Sequence, residues 1–440
     1  MRFTERHDVR SWGRVVRGPQ RVGSPRFRDQ VPATVSGAPA GSLLAVGGLR
    51  SYGDSVLNTG GGLIDMTGLD RLIAFDAASG VLRAEAGVTL DQILRWAVPL
   101  GYFAPVTPGT RFVTLGGAIA NDVHGKNHHR AGTFGRHVRR LRLVRSDGAA
   151  EIAPDSNHEL FAATVGGLGL TGVIEWAELQ LQPIASAFVD AEVVPYADLA
   201  EFWRLAEASV ASHEHTVAWI DCTATAAQTG RGVFMRANWS PDGGCAVSPA
   251  PRRLNVPLDA PSGLLNAHTL GLFNRLYALR RSQQAGRRRE PYAAFFYPLD
   301  SIGGWNRLYG RDGFWQYQCV VPPPAMRDAV AELLGEIALS GEGSFLAVLK
   351  TFGDIASPGL MSFPMPGATL ALDFPNRGES TLRLLDRLDQ VVKAAGGRLY
   401  AAKDGRIPRD VWTAGYPNLD RFTANLDPAF ASDFWRRVSR

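Results

Sequence analysis

Two glycine-rich segments in the first third of the chain constrain the fold more than any other feature. The first runs from Gly47 to Asp54 and directly follows an apolar strand pattern; the second runs from Pro108 to Lys126 and adds Thr and His side chains. Glycine lets backbone amides approach an anion closely, and successive amides bind a phosphate without a cationic side chain. Two such segments in one α+β region favour recognition of a pyrophosphate.

A third glycine motif, Gly167 to Gly172, matches the dinucleotide-binding pattern G-x-G-x-x-G. That pattern binds a pyrophosphate only when a strand precedes it and a helix follows it. Here the sequence predicts the reverse order, with a helix over 159–165 before the motif and a strand over 173–181 after it. A Rossmann domain is therefore not expected.

Length and composition indicate a folded protein of two domains. The chain has 440 residues, of which 45% are hydrophobic and 20% charged, as is usual for globular proteins. Its three cysteines show no C-x-x-C spacing, so neither a disulfide framework nor a metal site is expected. We expect no signal peptide, because the N-terminus lacks an apolar core, and no transmembrane helix.

Hydrophobic patterning divides the chain into two parts. Turns at Ser79-Gly80 and Asp147-Gly148 predict two hairpins, and a capping box at Thr89 to Gln92 predicts a helix start. These signals indicate an α+β domain over 1–183. Longer amphipathic helices between strands then predict a second α+β domain on an antiparallel sheet over 184–398. Within it, about 241–290 is rich in Pro, Gly, Ala and Arg and is expected to be a long mobile excursion.

Five arginines fall within ten residues of this excursion, at positions 280, 281, 287, 288 and 289. Such a run is most often a solvated surface, although it also suits an anionic lipid or a phosphate. Nucleic acid is not expected as a partner, because no aromatic residues are interleaved with the arginines as in a binding motif.

Five separated motifs carry a family resemblance that extends along most of the chain. They are Arg50-Ser-Tyr-Gly-Asp54, Asp122-Val-His-Gly-Lys-Asn-His-His129, Gly313-Phe-Trp-Gln-Tyr-Gln318, Ser362-Phe-Pro-Met-Pro-Gly367 and Leu399-Tyr-Ala-Ala-Lys-Asp404. With them the chain resembles the FAD-binding PCMH-type family of the vanillyl-alcohol-oxidase-like superfamily, and within it the decaprenylphosphoryl-β-D-ribose 2′-oxidases. The resemblance implies a two-subdomain PCMH-type FAD domain, a substrate domain, and a return of residues 399–440 to the FAD side.

The resemblance also implies which residues contact the cofactor. They are Ala45, Gly47, Gly48, Leu49, Arg50, Ser51, Tyr52, Gly53, Asp54, Ser55, Gly109, Thr110, Thr114, Leu115, Gly116, Gly117, Asn121, Asp122, Val123, His124, Ile174 and Tyr400. Many members of the superfamily attach FAD covalently through a histidine near the first glycine segment. Tyr52 stands at the matching position here, so the expected FAD is non-covalent.

Matching positions also imply the residues of the reaction site. Lys403, Tyr52, Gln318, Lys350 and His124 are the expected catalytic group, with Lys403 either as a base or as a charged stabiliser of an alkoxide. The substrate pocket is expected to contain Lys126, Trp219, Phe296, Gln316, Thr369 and Ala371. Ala371 replaces a cysteine that many mycobacterial relatives carry, and Thr369 stands where relatives have Asn.

The implied activity is FAD-dependent oxidation of the ribose 2′-hydroxyl of a polyprenylphosphoryl-β-D-ribose. The 2′-keto product implies a short-chain NAD(P)H-dependent reductase as a functional partner, which completes epimerisation to an arabinose donor for cell-wall arabinan. A lipid substrate further implies peripheral contact with the cytoplasmic or periplasmic face of the inner membrane.

Two other functions compete with this hypothesis. The same fold serves oxidases of soluble sugars, sugar alcohols or aldonolactones, and the chain is alternatively a flavoprotein that binds without turnover. Reduction of the flavin by free sugars would favour the first alternative. The presence of Lys403 and Gln318 argues against the second.

Overall fold

The computed structural model describes residues 1–246, 254–261 and 263–439. Their architecture is α+β, as the sequence predicts. The strands before Pro183 form two main sheets, and those from Phe188 onward build one large antiparallel sheet. The two domain boundaries, after residues 183 and 398, stay a prediction.

The first sheet has four strands and begins the chain. In spatial order they are Thr4–Arg6, Gln20–Gly23, Gly62–Asp65 and Leu43–Val46, the last three parallel. The helix Gln30–Val35 and the C-terminal residues Ala429 and Phe430 cover its apolar face. The strand Leu43–Val46 of this sheet ends where the first glycine segment begins.

The second sheet has five antiparallel strands. They are Leu72–Asp76, Val81–Glu85, Val173–Gln180, Val138–Arg145 and Gly148–Ile152, in spatial order. Both predicted hairpins are thus confirmed. The predicted capping box is also present, since Thr89 accepts from the amide of Gln92 at the start of helix Leu90–Ala97.

Short helices and one small sheet complete this half of the molecule. The helices are Leu115–Ala120, His128–Ala131 and His158–Thr164, and the small sheet pairs Tyr102–Phe103 with Gln182–Pro183. The motif at Gly167 follows the helix His158–Thr164 and precedes the strand Val173–Gln180. Its order is therefore opposite to that of a Rossmann turn, as predicted.

The large sheet has eight antiparallel strands. In spatial order they are Gly286–Pro291, Phe188–Tyr196, Gly232–Trp239, His215–Ile220, Ala347–Phe352, Gly367–Pro375, Phe314–Val321 and Arg398–Leu399. The helices Leu199–Val210, Met326–Ser340 and Glu379–Ala394 pack on it, and their buried leucines join the largest apolar cluster.

The structure differs from the expected loop over 241–290. Residues 247–253 and 262 lie outside the described chain, but Ala267–Ser282 is a helix and Gly286–Pro291 is an edge strand. Asn266 caps the helix by accepting from the amides of His268 and Thr269. The arginine-rich composition is typical of a loop, yet Arg289 lies in the edge strand and pairs with Asp190 on the neighbouring strand. Residues 254–255 and 302–303 add a short parallel pair.

The C-terminal residues return to the first glycine segment. After Arg409–Gly415 and Leu419–Thr423, the last helix, Asp433–Ser439, places Arg437 between two carboxylates. Its guanidinium donates to both oxygens of Asp54 at 2.9 Å and to Asp404 at 3.0 Å. This bridge joins the segment around Asp54 to the segment that carries Lys403.

We predict that Arg437→Ala lowers the free energy of unfolding by about 3 kcal/mol, because it leaves two largely buried carboxylates without their partner. Arg421→Ala is the matched control, since its ion pair with Glu159 is exposed on both sides and is worth less than about 1 kcal/mol. Urea denaturation followed by tryptophan fluorescence measures both. Equal effects of the two substitutions would contradict the structural role given to Arg437.

Candidate active site

One large cavity of about 1000 Å³ lies between the glycine segments and the large sheet. Its walls come from both halves of the molecule and from the turn that carries Lys403. A cavity of this size accommodates a cofactor together with part of a substrate. All five residues of the expected catalytic group and all six of the expected substrate pocket line it.

The two glycine segments pack directly on each other at one end of the cavity. A Cβ atom at Gly47 would lie 2.1 Å from the Thr114 hydroxyl, and one at Gly48 would lie 2.8 Å from the carbonyl of Phe112. Glycine is therefore required here for contact between the segments. Leu49 follows with a φ of 51°, a left-handed conformation that turns successive amides and that non-glycine residues seldom adopt.

Backbone amides are available to a ligand at this end of the cavity. Within the described chain, the N–H groups of Gly48, Leu49 and Ser51 donate no hydrogen bond to the protein. Gly109 also borders the cavity, and a Cβ atom built there would meet nothing within 4 Å. Amides without acceptors beside open space fit the pyrophosphate of a dinucleotide.

Most of the expected cofactor residues line the cavity, and four do not: Gly53, Asp54, Leu115 and Asp122. Gly53 packs against the backbone of Asp404, and Leu115 belongs to an apolar core. Asp54 faces Arg437. Asp122 is buried, where it accepts from the amide of Gly135 and the hydroxyl of Ser362.

The register of the large sheet explains how distant residues meet on one cavity wall. Gln318 lies opposite Ala371, Ala371 opposite Val348, and Val348 opposite Trp219. Because side chains alternate along a strand, residues two positions away share the same face. Lys350, Thr369 and Gln316 therefore belong to this wall as well. The side chains of Trp219 and Phe296 supply its apolar part.

Three lysines face the cavity from different parts of the chain. Lys126 follows the second glycine segment, Lys350 lies on the large sheet, and Lys403 follows its last strand. Burial lowers the pKa of Lys350 to about 7, an effect that the charges of the other two increase. Burial likewise lowers the pKa values of Lys126 and Lys403 to about 8. The cavity therefore concentrates positive charge that a bound anion would stabilise.

His124 is held between Lys350 and Gln318. The Lys350 amino group lies 2.9 Å from Nδ1 of His124 and donates to the carbonyl of Gly125 at 3.0 Å. The Gln318 amide lies 3.1 Å from Nε2 of His124 and 3.3 Å from the Thr369 hydroxyl. A charged Lys350 only donates, so Nδ1 of His124 accepts from it, and the Gln318 atom that lies beside Nε2 is the amide nitrogen.

This arrangement keeps His124 neutral. Burial, followed by the charge of Lys350, lowers the pKa of His124 well below its usual value. Both ring nitrogens are engaged by protein groups. His124 is thus arranged to orient its neighbours, and it is poorly placed to accept a substrate proton while Lys350 is charged.

Lys403 stands beside Tyr52 and near a buried carboxylate. Its amino group lies 4.0 Å from the centre of the Tyr52 ring, within cation–π range. Burial raises the pKa of Asp373 to about 7, and the charge of Lys403 opposes that rise. Gln316 donates to Asp373. The pair of Lys403 and Asp373 can therefore hold and release a proton near neutral pH.

Sequence reasoning missed several residues around the cavity. Asp373 is two positions from Ala371 on the same strand face, which is a signal that the alternation of a strand offers. Tyr277, Arg281 and Arg288 were missed as well; unlike Asp373, which is fully buried, these three line the cavity, although their segment was expected to be a loop. Their inward position follows from the helix Ala267–Ser282 and its neighbouring strand, which composition does not reveal.

The comparisons with known proteins agree with this geometry. An FAD binding domain model matches residues 19–153. The chain is 38% identical to the decaprenylphosphoryl-β-D-ribose oxidase of Mycolicibacterium smegmatis over 415 aligned residues. The aligned region covers 90% of this chain and 89% of that protein. The chain belongs to this family of FAD-dependent oxidases.

Two further relatives show how the similarity is distributed. An uncharacterised Streptomyces coelicolor protein is 37% identical over 372 residues, covering 80% of this chain and all of that protein. A probable L-gulonolactone oxidase of Arabidopsis thaliana is 31% identical, but over only 29% of this chain and 22% of its own. The extended similarity to the family thus includes the large sheet as well as the FAD-binding region.

The enzyme is an FAD-dependent oxidoreductase, and its residues fit the cofactor. The amides at Gly48, Leu49 and Ser51 suit the pyrophosphate, and Tyr52 and Lys403 line the same cavity in contact with each other. When bound, the flavin supplies a hydride acceptor. The Tyr400 hydroxyl donates to the carbonyl of Asn121 at 2.9 Å, which fixes Tyr400 against the second glycine segment.

We predict that the FAD is bound without a covalent link, because Tyr52 cannot form the histidyl bond of other superfamily members. Precipitating the purified protein with acid should leave all the flavin in the supernatant, with the mass of free FAD. A protein whose intact mass after denaturation still includes FAD would contradict this prediction.

Proposed function

We propose that the enzyme oxidises the 2′-hydroxyl of a polyprenylphosphoryl-β-D-ribose to the 2′-ketone. The name of its Mycolicibacterium relative describes a ribose linked to decaprenyl through a phosphoryl group. The observation that carries the proposal is the cluster of Lys126, Lys350 and Lys403 around one cavity. A phosphodiester carries a negative charge that would balance the positive charge of these lysines. Its oxygens accept hydrogen bonds from their amino groups.

Lys403 is the residue we assign to the hydroxyl proton. Oxidation removes a hydride from C2 and a proton from its oxygen, and the flavin supplies the hydride acceptor. A neutral Lys403 accepts the hydroxyl proton, and Asp373 stabilises the ammonium that results. Gln318 and Tyr52 line the same part of the cavity and orient the sugar.

Lys350 and Lys126 are assigned to the phosphoryl group. The amino group of Lys126 donates to the carbonyl of Phe296 at 2.9 Å, and that of Lys350 is fixed by His124 and Gly125. Two ammonium groups held by neutral partners retain hydrogens for an anionic ligand. Trp219 and Phe296 then offer an apolar surface to the first prenyl units.

The proposed product indicates what must act next. A 2′-keto lipid becomes an arabinose donor for the cell wall only after hydride addition, so a short-chain NAD(P)H-dependent reductase is the proposed functional partner. No helix in the described chain is long and apolar enough to cross a bilayer. We therefore propose peripheral contact with one face of the inner membrane, where a polyprenyl substrate resides.

Anaerobic reduction of the bound flavin tests the proposed substrate. Polyprenylphosphoryl ribose should bleach the flavin absorbance within seconds, whereas free ribose and aldonolactones at the same concentration should not. Bleaching by the free sugars but not by the phosphoryl lipid would contradict the proposal and would favour an oxidase of soluble sugars.

Substitution of Lys403 tests its assigned role in the same assay. Lys403→Met should slow flavin reduction at least about 100-fold, since a proton acceptor in the transition state contributes roughly that factor. Lys393→Met is the matched control, because Lys393 lies on an outer helix and pairs with Asp410. Unchanged reduction in Lys403→Met with full FAD content would exclude Lys403 as the proton acceptor.

A further inference from the structure

The helix Ala267–Ser282 has one face in the cavity wall and one face that no other described residue covers. On the inner face, Asn274 donates to Asp221 at 3.1 Å, and the ring of Tyr277 lies 4.8 Å from that of Trp219. Tyr277 and Arg281 line the cavity. These contacts fix the helix on the large sheet and so determine which residues face outward.

Three leucines form an apolar stripe on the outer face. Leu272, Leu276 and Leu279 follow the i, i+4, i+7 spacing of one helix face, and they are 60%, 57% and 59% exposed. Exposed leucines that occur singly need no explanation, but a continuous stripe marks an interaction surface. The segment leading into the helix adds Leu254, Leu258 and Leu264, which are also exposed.

Arginines flank this stripe on both sides. Arg275 lies on one edge and Arg280 on the other, and neither pairs with a carboxylate among the described residues. Arg287 follows shortly after the helix and is almost fully exposed. A leucine stripe between unpaired arginines is typical of helices that lie in the plane of a membrane and bind anionic lipids.

We propose that this outer face, defined as Leu272, Leu276 and Leu279 with Arg275 and Arg280, docks the enzyme on a membrane surface rich in anionic phospholipid. Charge complementarity identifies the occupant, because positive edges around an apolar stripe match negative headgroups above acyl chains. The proposal deepens the proposed function, since the opposite face of the same helix borders the cavity that would receive a polyprenyl substrate.

Vesicle cosedimentation of the FAD-loaded enzyme tests this surface. Vesicles of phosphatidylcholine with 30% phosphatidylglycerol, a roughly physiological anionic content, should bind at least tenfold more enzyme than phosphatidylcholine alone. Raising the salt should weaken that binding, because ions screen the headgroup attraction.

Substitutions separate the named face from the rest of the surface. The triple variant L272S/L276S/L279S should lose at least tenfold in vesicle binding, and Arg275→Ala with Arg280→Ala should lose the preference for phosphatidylglycerol. Leu339→Ser is the matched control, because Leu339 lies in the last turn of the helix Met326–Ser340 and is 85% exposed. FAD content and thermal midpoint verify that each variant is folded.

Two outcomes would overturn the proposal. One is equal vesicle binding by the wild type and the triple variant; the other is a wild-type dimer in solution that the triple variant converts to monomers, which would place a second copy on this face. The assay is independent of turnover. Vesicle binding without flavin reduction by polyprenylphosphoryl ribose would leave the surface standing and contradict the proposed function alone.

Discussion

Burial of Lys126, Lys350 and Lys403 around one cavity is the constraint on which the site depends. Burial lowers the pKa of Lys350 to about 7, an effect that the charges of the other two lysines increase. Glu290 and Asp300 oppose the fall in pKa at Lys126, and Asp373 opposes it at Lys403. The fold tolerates the cluster by giving the amino groups neutral partners, namely His124 and the carbonyls of Gly125 and Phe296. Such an arrangement costs stability without a ligand and gains it when an anion binds.

The division of the chain into two structural halves makes this cluster possible. The glycine segments meet where Gly47 packs against the Thr114 side chain, and they leave amides for the pyrophosphate. The large sheet presents its row of Gln318, Ala371, Val348 and Trp219 to the same cavity. The C-terminal bridge through Arg437 connects the segment around Asp54 to the turn that follows the last strand of the large sheet.

Local signals in the sequence predicted much of this fold. Turn residues predicted both hairpins, the Thr89 capping box predicted a helix start, and the order of elements around Gly167 excluded a Rossmann turn. The region around helix Ala267–Ser282 was expected to be a loop because of its content of Pro, Gly, Ala and Arg, although Leu272, Leu276 and Leu279 have the spacing of one helix face. Its leucine stripe faces outward, opposite to the pattern of a core-facing helix.

Family motifs predicted the cavity residues better than composition did. Lys403, Lys350 and His124 were expected on the basis of matching positions, and they line one cavity. Asp373 was missed because its role depends on the register of the sheet. It lies directly opposite Gln316 on the neighbouring strand and within electrostatic reach of Lys403. Pairing between distant strands is set by tertiary packing and has no local signal.

The central claim is that buried lysines recognise the phosphoryl group of the substrate, and ligand binding across pH tests it most directly. The affinity of a polyprenylphosphoryl ribose, which keeps one negative charge throughout, should fall at least about tenfold between pH 7 and pH 9, because Lys350 with a pKa of about 7 and Lys126 with a pKa of about 8 lose their protons over this range. The same lipid ribose with an uncharged linkage should bind weakly and independently of pH. Equal affinity for both ligands, or no pH dependence for the charged one, would contradict the account.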